Sequence, residues 1–273
     1  MKIYDCFMYF DEDLLLDLRL NILNEYVDKF LIIEAEEDHQ GKKRKLNFDI
    51  NNFKKFKDKI NYISLNKIEI DNSIKLKKNW DIGHLRDQSM RNQIQNYLSD
   101  AQDDDWIIIS DLDEIPNPNK IREFNPKKKF AFFEQKFFYY KFNIINETQP
   151  QWYGSRICVK KYLKSPQWLR NIKIKSKKNF LKSIFNNYQI LTQGGWHFTY
   201  IKKPKEIITK LNSFAHNELV KNYMLNEDYI KNKIDNHLDL FERDIVLKKV
   251  EIENNNFPKY LINNKEKFKD FII

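Results

Sequence analysis

The first 110 residues alternate between short runs of strand-forming residues and segments whose apolar residues recur at helical spacing. The strand candidates lie at residues 2–10, 27–35, 62–65 and 106–109. A strand–helix–strand order favours parallel strands whose crossover connections are helices. The sequence therefore predicts an α/β fold with a Rossmann-like, mostly parallel central sheet that is flanked by helices.

The pattern changes after Pro116. Residues 130–142 read as one long aromatic strand or hairpin arm, and residues 155–163 as another strand. Helical patterns dominate the C-terminal part, at residues 205–216, 228–237 and 263–272. With five glycines and seven prolines, the chain lacks a flexible linker. We expect one domain, 1–273, with two halves at 1–116 and 117–273.

Three carboxylates follow the fourth strand candidate in the stretch IIISDLDEIP, residues 107–116. If this segment is extended, Asp111 and Asp113 point to the same side, at the sheet edge where α/β proteins bind ligands. Carboxylates held this close repel each other unless a cation lies beside them. We expect Mg²⁺ or Mn²⁺ there, with diphosphate oxygens in its coordination shell. The alternative is that these acids only form a turn and a helix cap.

Two further polar sites lie near this edge in the predicted topology. Arg91 and Asn92 lie on the helix before the acidic stretch, and Arg91 could bind a phosphate with two hydrogen bonds. Its alternative is a surface ion pair with Asp87, four residues earlier. Glu34 ends the second strand and could accept hydrogen bonds from a nucleoside. Its alternative is a loop or cap residue.

The stretch GGWHF, residues 194–198, is the second dense motif. Its two glycines would let the backbone approach a ligand closely. Trp196 could stack on a base or a sugar ring, and His197 could bind a metal ion or a phosphate. A structural role for His197 is the alternative.

These motifs together give the chain a resemblance to glycosyltransferase family 17. The matching segments occur in order along nearly the whole chain: IYDCFMYFDEDLLLDLRLNIL, VDKFLIIEA, RDQSMRNQI, DDDWIIISDLDEIP, EQKFFYY, GGWHFTY, SFAHNE and PKYLINNKEKF. The layout is also similar to the GT-A fold of family 2 type enzymes, in which Glu34 would match an acidic nucleoside-binding residue. Arg91 and Asn92 would match an Arg-Asn pair that precedes the metal-binding strand.

The resemblance implies a UDP-sugar donor, UDP-N-acetylglucosamine, and transfer to a glycan hydroxyl with inversion and a β linkage. It implies a divalent cation at Asp111 and Asp113. It also implies that residues 1–116 bind the nucleotide sugar, whereas residues 117–273 form the acceptor side with its C-terminal helices.

The transfer reaction needs a carboxylate that removes the proton of the acceptor hydroxyl. Glu134 and Glu114 are the candidates, since Glu134 lies on the strand after the acidic stretch and Glu114 lies within it. The metal and Arg91 would neutralise charge on the leaving UDP. Trp152 and Tyr153 could form a platform for a sugar ring, although core packing is the simpler role.

Composition leaves two alternative functions open. The net charge of +9 suits either a solvated basic surface or an anionic partner. A metal-dependent phosphoesterase or nuclease usually holds two metals, and five scattered histidines offer little for such a site. A basic nucleic-acid-binding protein would show a recognisable motif or a basic helix face. Neither is visible, so we expect no nucleic-acid partner.

The sequence contains neither a signal peptide nor a stretch of roughly 20 apolar residues that could span a membrane. Its two cysteines, Cys6 and Cys158, lie in strand candidates and suit a reducing compartment as buried thiols. We therefore expect a cytoplasmic protein for which peripheral contact with a membrane is conceivable.

Overall fold

In the part of the chain that the structure describes, eleven strands form one mixed sheet with helices packed on it. The computed structural model describes residues 1–75, 81–174, 188–213, 215, 217–253 and 256–273. The strands are β1 Ile3–Met8, β2 Lys29–Ala35, β3 Ile60–Leu65, β4 Trp106–Ile109, β5 Glu114–Pro116, β6 Phe130–Tyr139, β7 Ile144–Asn146, β8 Gln151–Trp152, β9 Arg156–Val159, β10 Tyr188–Thr199 and β11 Leu247–Lys249. The α/β class predicted from the sequence is confirmed.

The α-helices of the described residues are short. They are α1 Asp13–Leu23, α2 Ile82–Gln93, α3 Pro118–Ile121, α4 Pro166–Asn171, α5 Pro204–Ser213, α6 Glu227–Asp235, α7 Lys259–Asn263 and α8 Lys265–Phe268. Within this part of the chain, none is long and apolar enough to cross a lipid bilayer.

The N-terminal half of the sheet is parallel, in the order β3-β2-β1-β4. Its three inner strands are buried along almost their whole length, which explains their continuous apolar runs. In β4, Ile107 and Ile109 pack in the core on one face, and Ile108 packs on the other. Burying one such side chain contributes about 1.5–3 kcal/mol.

The strands after Asp111 are mainly antiparallel, which differs from the mostly parallel sheet that we expected. β9 pairs antiparallel with both β4 and β6, and β6 pairs antiparallel with β7 and β8. For β6 and β7 the reason is connection length, because a parallel neighbour needs a crossover of about a dozen residues or more. The loop from Tyr140 to Asn143 that joins β6 to β7 is far shorter. β10, which follows a longer connection, does pair parallel with β6.

Element boundaries differ from the sequence pattern where the backbone leaves regular geometry. β6 ends at Tyr139 rather than at residue 142, because Tyr140 has a φ of 59°. The helix expected at 263–272 is broken at Asn264, whose φ and ψ are −124° and 33°. A 3₁₀ segment, Ile50–Phe56, lies between β2 and β3. The helix expected at 205–216 ends at Ser213, and residues 214 and 216 lie outside the described residues.

Candidate active site

A cleft of about 630 Å³ opens at the carboxyl ends of β1 and β4. Its walls come from the segments after β1 and β2, from α2, from the acidic segment after β4, and from residues 149–156, α4 and α5. This is the edge at which open α/β sheets bind ligands. Charged side chains of both signs line it, among them Glu12, Arg91, Asp111, Asp113, Arg170 and Lys210.

The acidic segment is a turn rather than an extended strand. The amide of Glu114 donates to the carbonyl of Asp111 at 3.1 Å, which closes the turn before β5 begins. The side chains of these residues therefore do not alternate between two sides, as we expected for an extended segment. The turn nevertheless brings Asp111 and Asp113 to the same cleft.

Asp111 lies between two arginines. Its Oδ1 accepts from Arg91 at 3.0 Å and its Oδ2 from Arg170 at 2.8 Å. Burial alone would raise the pKa of Asp111, but Arg170 and Arg91 more than offset it, so the pKa lies well below its ordinary value. Arg91 also forms the predicted ion pair with Asp87, at 2.9 Å and 3.0 Å. The ion pair that was the alternative for Arg91 is therefore present, and phosphate binding by Arg91 stays a prediction.

Asp113 lies near His197 and Lys210 without a short contact to either. Its Oδ1 is 3.6 Å from Nε2 of His197, and its Oδ2 is 3.6 Å from Nζ of Lys210. Both distances exceed an ordinary hydrogen bond. Burial would raise the pKa of Asp113, but Lys210 and His197 lower it below its usual value. Asp113 is therefore an ionised carboxylate with capacity to accept a further cation.

Aromatic rings hold His197 in place. Its ring stacks on Phe137 with centroids 4.6 Å apart and tilts against Trp152 at 4.8 Å. Among the described residues, its buried Nδ1 has no hydrogen-bond partner. The stacking leaves Nε2 on the side of Asp113. β10 pairs with β5 at this point, with His197 opposite Glu114, and this pairing brings His197 next to the acidic turn.

The side chains of this site supply too few ligands to hold a divalent ion alone, so oxygen atoms of a substrate would have to complete the coordination shell. Magnesium in phosphate-handling sites is commonly held by one or two carboxylates together with substrate phosphates. Asp113 fits that arrangement as the carboxylate, whereas both oxygens of Asp111 already bind arginines. The imidazole of His197 would add a nitrogen ligand, which lies outside that arrangement. No group of three or more His, Cys, Asp or Glu residues able to hold a metal occurs in the described ranges.

Glu114 is buried and is not among the residues that line the cleft. Its side chain is 1% exposed and binds Arg170 at 2.5 Å, Trp152 Nε1 at 2.7 Å and the amide of Asp111 at 2.9 Å. A Cβ on Gly154 would lie 1.9 Å from its Oε1, so the neighbouring backbone packs directly on it. The catalytic role that we expected of Glu114 is not supported by this environment. It fixes the turn and Arg170 instead.

Glu134 lies next to Tyr153 and is not among the residues that line the cleft. It is half-buried, and its Oε2 accepts a hydrogen bond from the Tyr153 hydroxyl at 2.8 Å. Burial and this hydrogen bond raise the pKa of Tyr153 to about 12, so the tyrosine is protonated at neutral pH. Tyr153 itself lines the cleft. Glu134 is thus one side chain removed from the cavity, and its role as a base stays a prediction.

The sequence model of one enzyme family matches this chain over its whole length. The model describes glycosyltransferase family 17 and covers residues 1–273. The chain belongs to glycosyltransferase family 17. A comparison with curated proteins gave no match. The cleft described above is therefore the candidate active site of a glycosyltransferase.

Glu34 of this glycosyltransferase does not line the cleft. Its carboxylate is fully buried and binds Arg44 at 2.7 Å, the Tyr62 hydroxyl at 2.9 Å and the amides of Asn47 and Phe48 at 2.7 Å and 3.1 Å. These contacts order the chain from Arg44 to Phe48. The structure thus favours the loop role over the nucleoside role that we expected.

Asn92 and Trp196 also turn away from the cleft of the glycosyltransferase. The side-chain Nδ2 of Asn92 donates to the Asp71 carboxylate at 2.9 Å, and its Oδ1 accepts from the backbone amide of Gln167 at 2.9 Å. Asn92 thus holds α4 against α2. Trp196 packs in the main core and donates to the carbonyl of Asn256 at 2.8 Å. Stacking of Trp196 on a base or a sugar, which we expected, does not fit this placement.

The two glycines before Trp196 serve strand packing in the glycosyltransferase. A Cβ on Gly194 would lie 2.7 Å from the amide nitrogen of Glu134, and one on Gly195 would lie 2.1 Å from the carbonyl oxygen of Ile115. The backbone of β10 therefore approaches β5 and β6 rather than a ligand.

Sequence reasoning missed the two most central cations of this glycosyltransferase. Arg170, on α4, binds both Asp111 and Glu114, although 59 residues separate it from Asp111 along the chain. Lys210, on α5, lies 3.9 Å from Glu12 and 3.6 Å from Asp113. Neither lies in a motif, so only the tertiary structure reveals them.

Proposed function

We propose that the protein is a metal-dependent inverting glycosyltransferase that moves N-acetylglucosamine from UDP-N-acetylglucosamine to a glycan hydroxyl, with a β linkage. The observation that carries this proposal is the acidic turn. Asp111 and Asp113 face one cleft together with Arg91, Arg170 and Lys210, in a chain that belongs to glycosyltransferase family 17.

The size and charge of the cleft support a nucleotide-sugar donor. Its volume of about 630 Å³ lies within the roughly 300–1,000 Å³ typical of small-molecule sites. A diphosphate needs cationic partners, and arginine can bind phosphate oxygens with two hydrogen bonds. Arg91, Arg170 and Lys210 line the cleft close to Asp111 and Asp113. The donor's diphosphate would lie among these groups.

The proposed chemistry is a single displacement at the anomeric carbon of the donor. The acceptor oxygen forms a bond to C1 while the bond from C1 to the phosphate oxygen breaks, and UDP leaves with the electron pair. A divalent ion held by Asp113 and His197 would supply Lewis-acid stabilisation of the leaving diphosphate. Arg170 and Lys210 would add fixed positive charge beside it.

Glu134 is the proposed base that takes the proton of the acceptor hydroxyl. It accepts a hydrogen bond from Tyr153, which lines the side of the cleft formed by residues 149–156. We propose that the acceptor binds on this side, where its hydroxyl would replace that of Tyr153 as the donor to Glu134. Trp152 binds Glu114 and packs against His197 with tilted rings, so it supports the site rather than offering a free platform.

The two alternative functions find little support in this site. A two-metal nuclease would need a larger set of metal ligands, which the described residues do not contain. A nucleic-acid-binding protein is not indicated by a chain that belongs to glycosyltransferase family 17. We also keep a cytoplasmic location as a proposal, because Cys6 and Cys158 are buried and free.

The test is the release of the nucleoside diphosphate from nucleotide sugars. The protein is incubated with UDP-N-acetylglucosamine, UDP-glucose or GDP-mannose, each with Mn²⁺ and with EDTA, and the release of UDP or GDP is measured. We expect release to be fastest from UDP-N-acetylglucosamine and to disappear in EDTA. Equal release of UDP and GDP from all three donors, or cleavage of an oligonucleotide without release from any nucleotide sugar, would contradict the proposal.

A further inference from the structure

An ion pair lies fully buried beneath the acidic turn. Arg19 on α1 and Asp5 on β1 are both 0% exposed. The guanidinium binds the carboxylate with two hydrogen bonds, of 2.6 Å and 2.8 Å, and it also lies over the ring of Phe7 at 4.4 Å. Removing two charges from water is costly unless further hydrogen bonds satisfy them. The remaining contacts of Arg19 are therefore informative.

Those contacts all go to the turn that carries the two cleft-facing carboxylates. Nη1 of Arg19 donates to the carbonyl oxygens of Asp111, Leu112 and Glu114 at 3.0 Å, 3.1 Å and 2.9 Å. Nη2 donates to the hydroxyl of Ser110 at 2.5 Å. One guanidinium thus gathers the backbone of the whole turn at a single point.

The hydrogen bonds of Arg19 to Asp5 and to the turn depend on the shape of the guanidinium group. Its five donors form a rigid planar fork, and here one edge of the fork binds Asp5 while the other end binds the turn. A lysine ammonium has its donors on one atom and cannot reach both sides in the same way. Asp5 anchors the fork to β1, next to the strand from which the turn emerges.

We propose that Arg19, anchored by Asp5, is a positioning residue that sets the backbone of residues 110–114 so that Asp111 and Asp113 face the cleft. Its effect on turnover rests on the proposed function, whereas its effect on the turn does not. A misplacement of about 1 Å at reacting groups can lower a rate by about 10²-fold.

The test removes the pair as a unit, because replacing a buried ion pair by apolar residues of similar volume is often tolerated by a fold. In Asp5→Leu/Arg19→Met we expect a cooperative thermal transition, faster hydrogen–deuterium exchange at the amides of Asp111 and Glu114 by about tenfold or more, and turnover lowered by about 10²-fold. The amides of β2 and β3 should exchange as in the wild type.

Arg19→Lys is the second variant, and it keeps the charge next to Asp5. If Arg19 only balances that charge, lysine will restore wild-type exchange in the turn. We expect it to leave exchange there at least severalfold faster. The control is Asp239→Leu/Arg243→Met, since this pair also joins an arginine to a buried aspartate, at 2.7 Å, but lies outside the cleft lining.

Unchanged exchange at Asp111 and Glu114 in both variants of Arg19 would overturn the positioning role. A wild-type protein that releases no UDP would instead contradict the proposed function. The exchange measurement would still decide the role of Arg19, because it does not depend on activity.

Discussion

The two glutamates near the acidic turn should respond differently to the same substitution. In Glu134→Gln we expect turnover to fall by about 10²–10⁴-fold, the range for loss of a general base, while the fold is retained because Glu134 is only half-buried. Initial rates of UDP release with an acceptor present would measure this. A rate within twofold of the wild type would remove Glu134 as the base.

Glu114→Gln should mainly affect stability. The change weakens the contact with Arg170 deep in the protein, and we expect the free energy of unfolding to fall by about 1–3 kcal/mol in urea titrations. Glu123→Gln is the control, because Glu123 pairs with Lys120 at the surface and should change stability by less than about 0.5 kcal/mol. Equal effects of both substitutions would contradict the structural role of Glu114.

At the scale of residues, the sequence identifies a site residue only when the signal is local. Asp111 and Asp113 were found because they directly follow a buried strand. Arg19 carried a weaker signal, as a charge four residues after Leu15 on an otherwise apolar helix face. Arg170 carried none, because its partners come from distant parts of the chain. Glu34 was misread because a strand-end carboxylate can equally well bind its own loop.

β10 pairs with both β5 and β6 and so places His197 beside the acidic turn. Gly195 permits the close approach of β10 to β5. The strand shifts register against β6 between Leu191 and Gly195, and Gly195 has a φ of 140°. We expect Gly195→Ala to lower the free energy of unfolding by more than about 1 kcal/mol, because the new Cβ would collide with the carbonyl oxygen of Ile115. Urea titration followed by circular dichroism measures it.

The control for this element is Thr192→Ala, an exposed position of the same strand that should change stability by less than about 0.5 kcal/mol. If Gly195→Ala is as stable as Thr192→Ala, the close approach of β10 to β5 is not required for the fold.

The sequence predicts a strand or a helix correctly where a single apolar pattern extends over most of its length. β1, β2, β4 and α1 carry such patterns, because each is buried along a face that its own sequence defines. The later strands were harder to place. Their pairing depends on connection lengths and on bulges such as that in β10, which a strand's own composition does not encode.

For the whole molecule, the carboxylates of the cleft should make stability depend on acidity. The pKa values of Asp111, Asp113 and Glu12 are lowered in the folded protein, because cationic neighbours offset the effect of burial. In the unfolded chain such groups titrate near pH 4. Below about pH 5 the unfolded state therefore binds more protons, and the free energy of unfolding falls as the pH decreases.

Urea titrations at pH 7, 5, 4 and 3 would measure this dependence. We expect these carboxylates to contribute fully at pH 7 and the loss of stability to grow from pH 5 to pH 3. Stability that is unchanged or higher at pH 3 than at pH 5 would contradict the described charge pairing.

The most direct test of the proposed nucleotide site is calorimetric titration of UDP into the wild type and into Asp113→Asn, each with Mn²⁺ and with EDTA. Asp104→Asn, an exposed aspartate before β4, is the control. We expect Mn²⁺ to strengthen UDP binding at least tenfold in the wild type and in the control, and to have no effect in Asp113→Asn. Equal UDP affinity with and without Mn²⁺ in the wild type, or an unchanged response to Mn²⁺ in Asp113→Asn, would contradict a metal–diphosphate site at this turn.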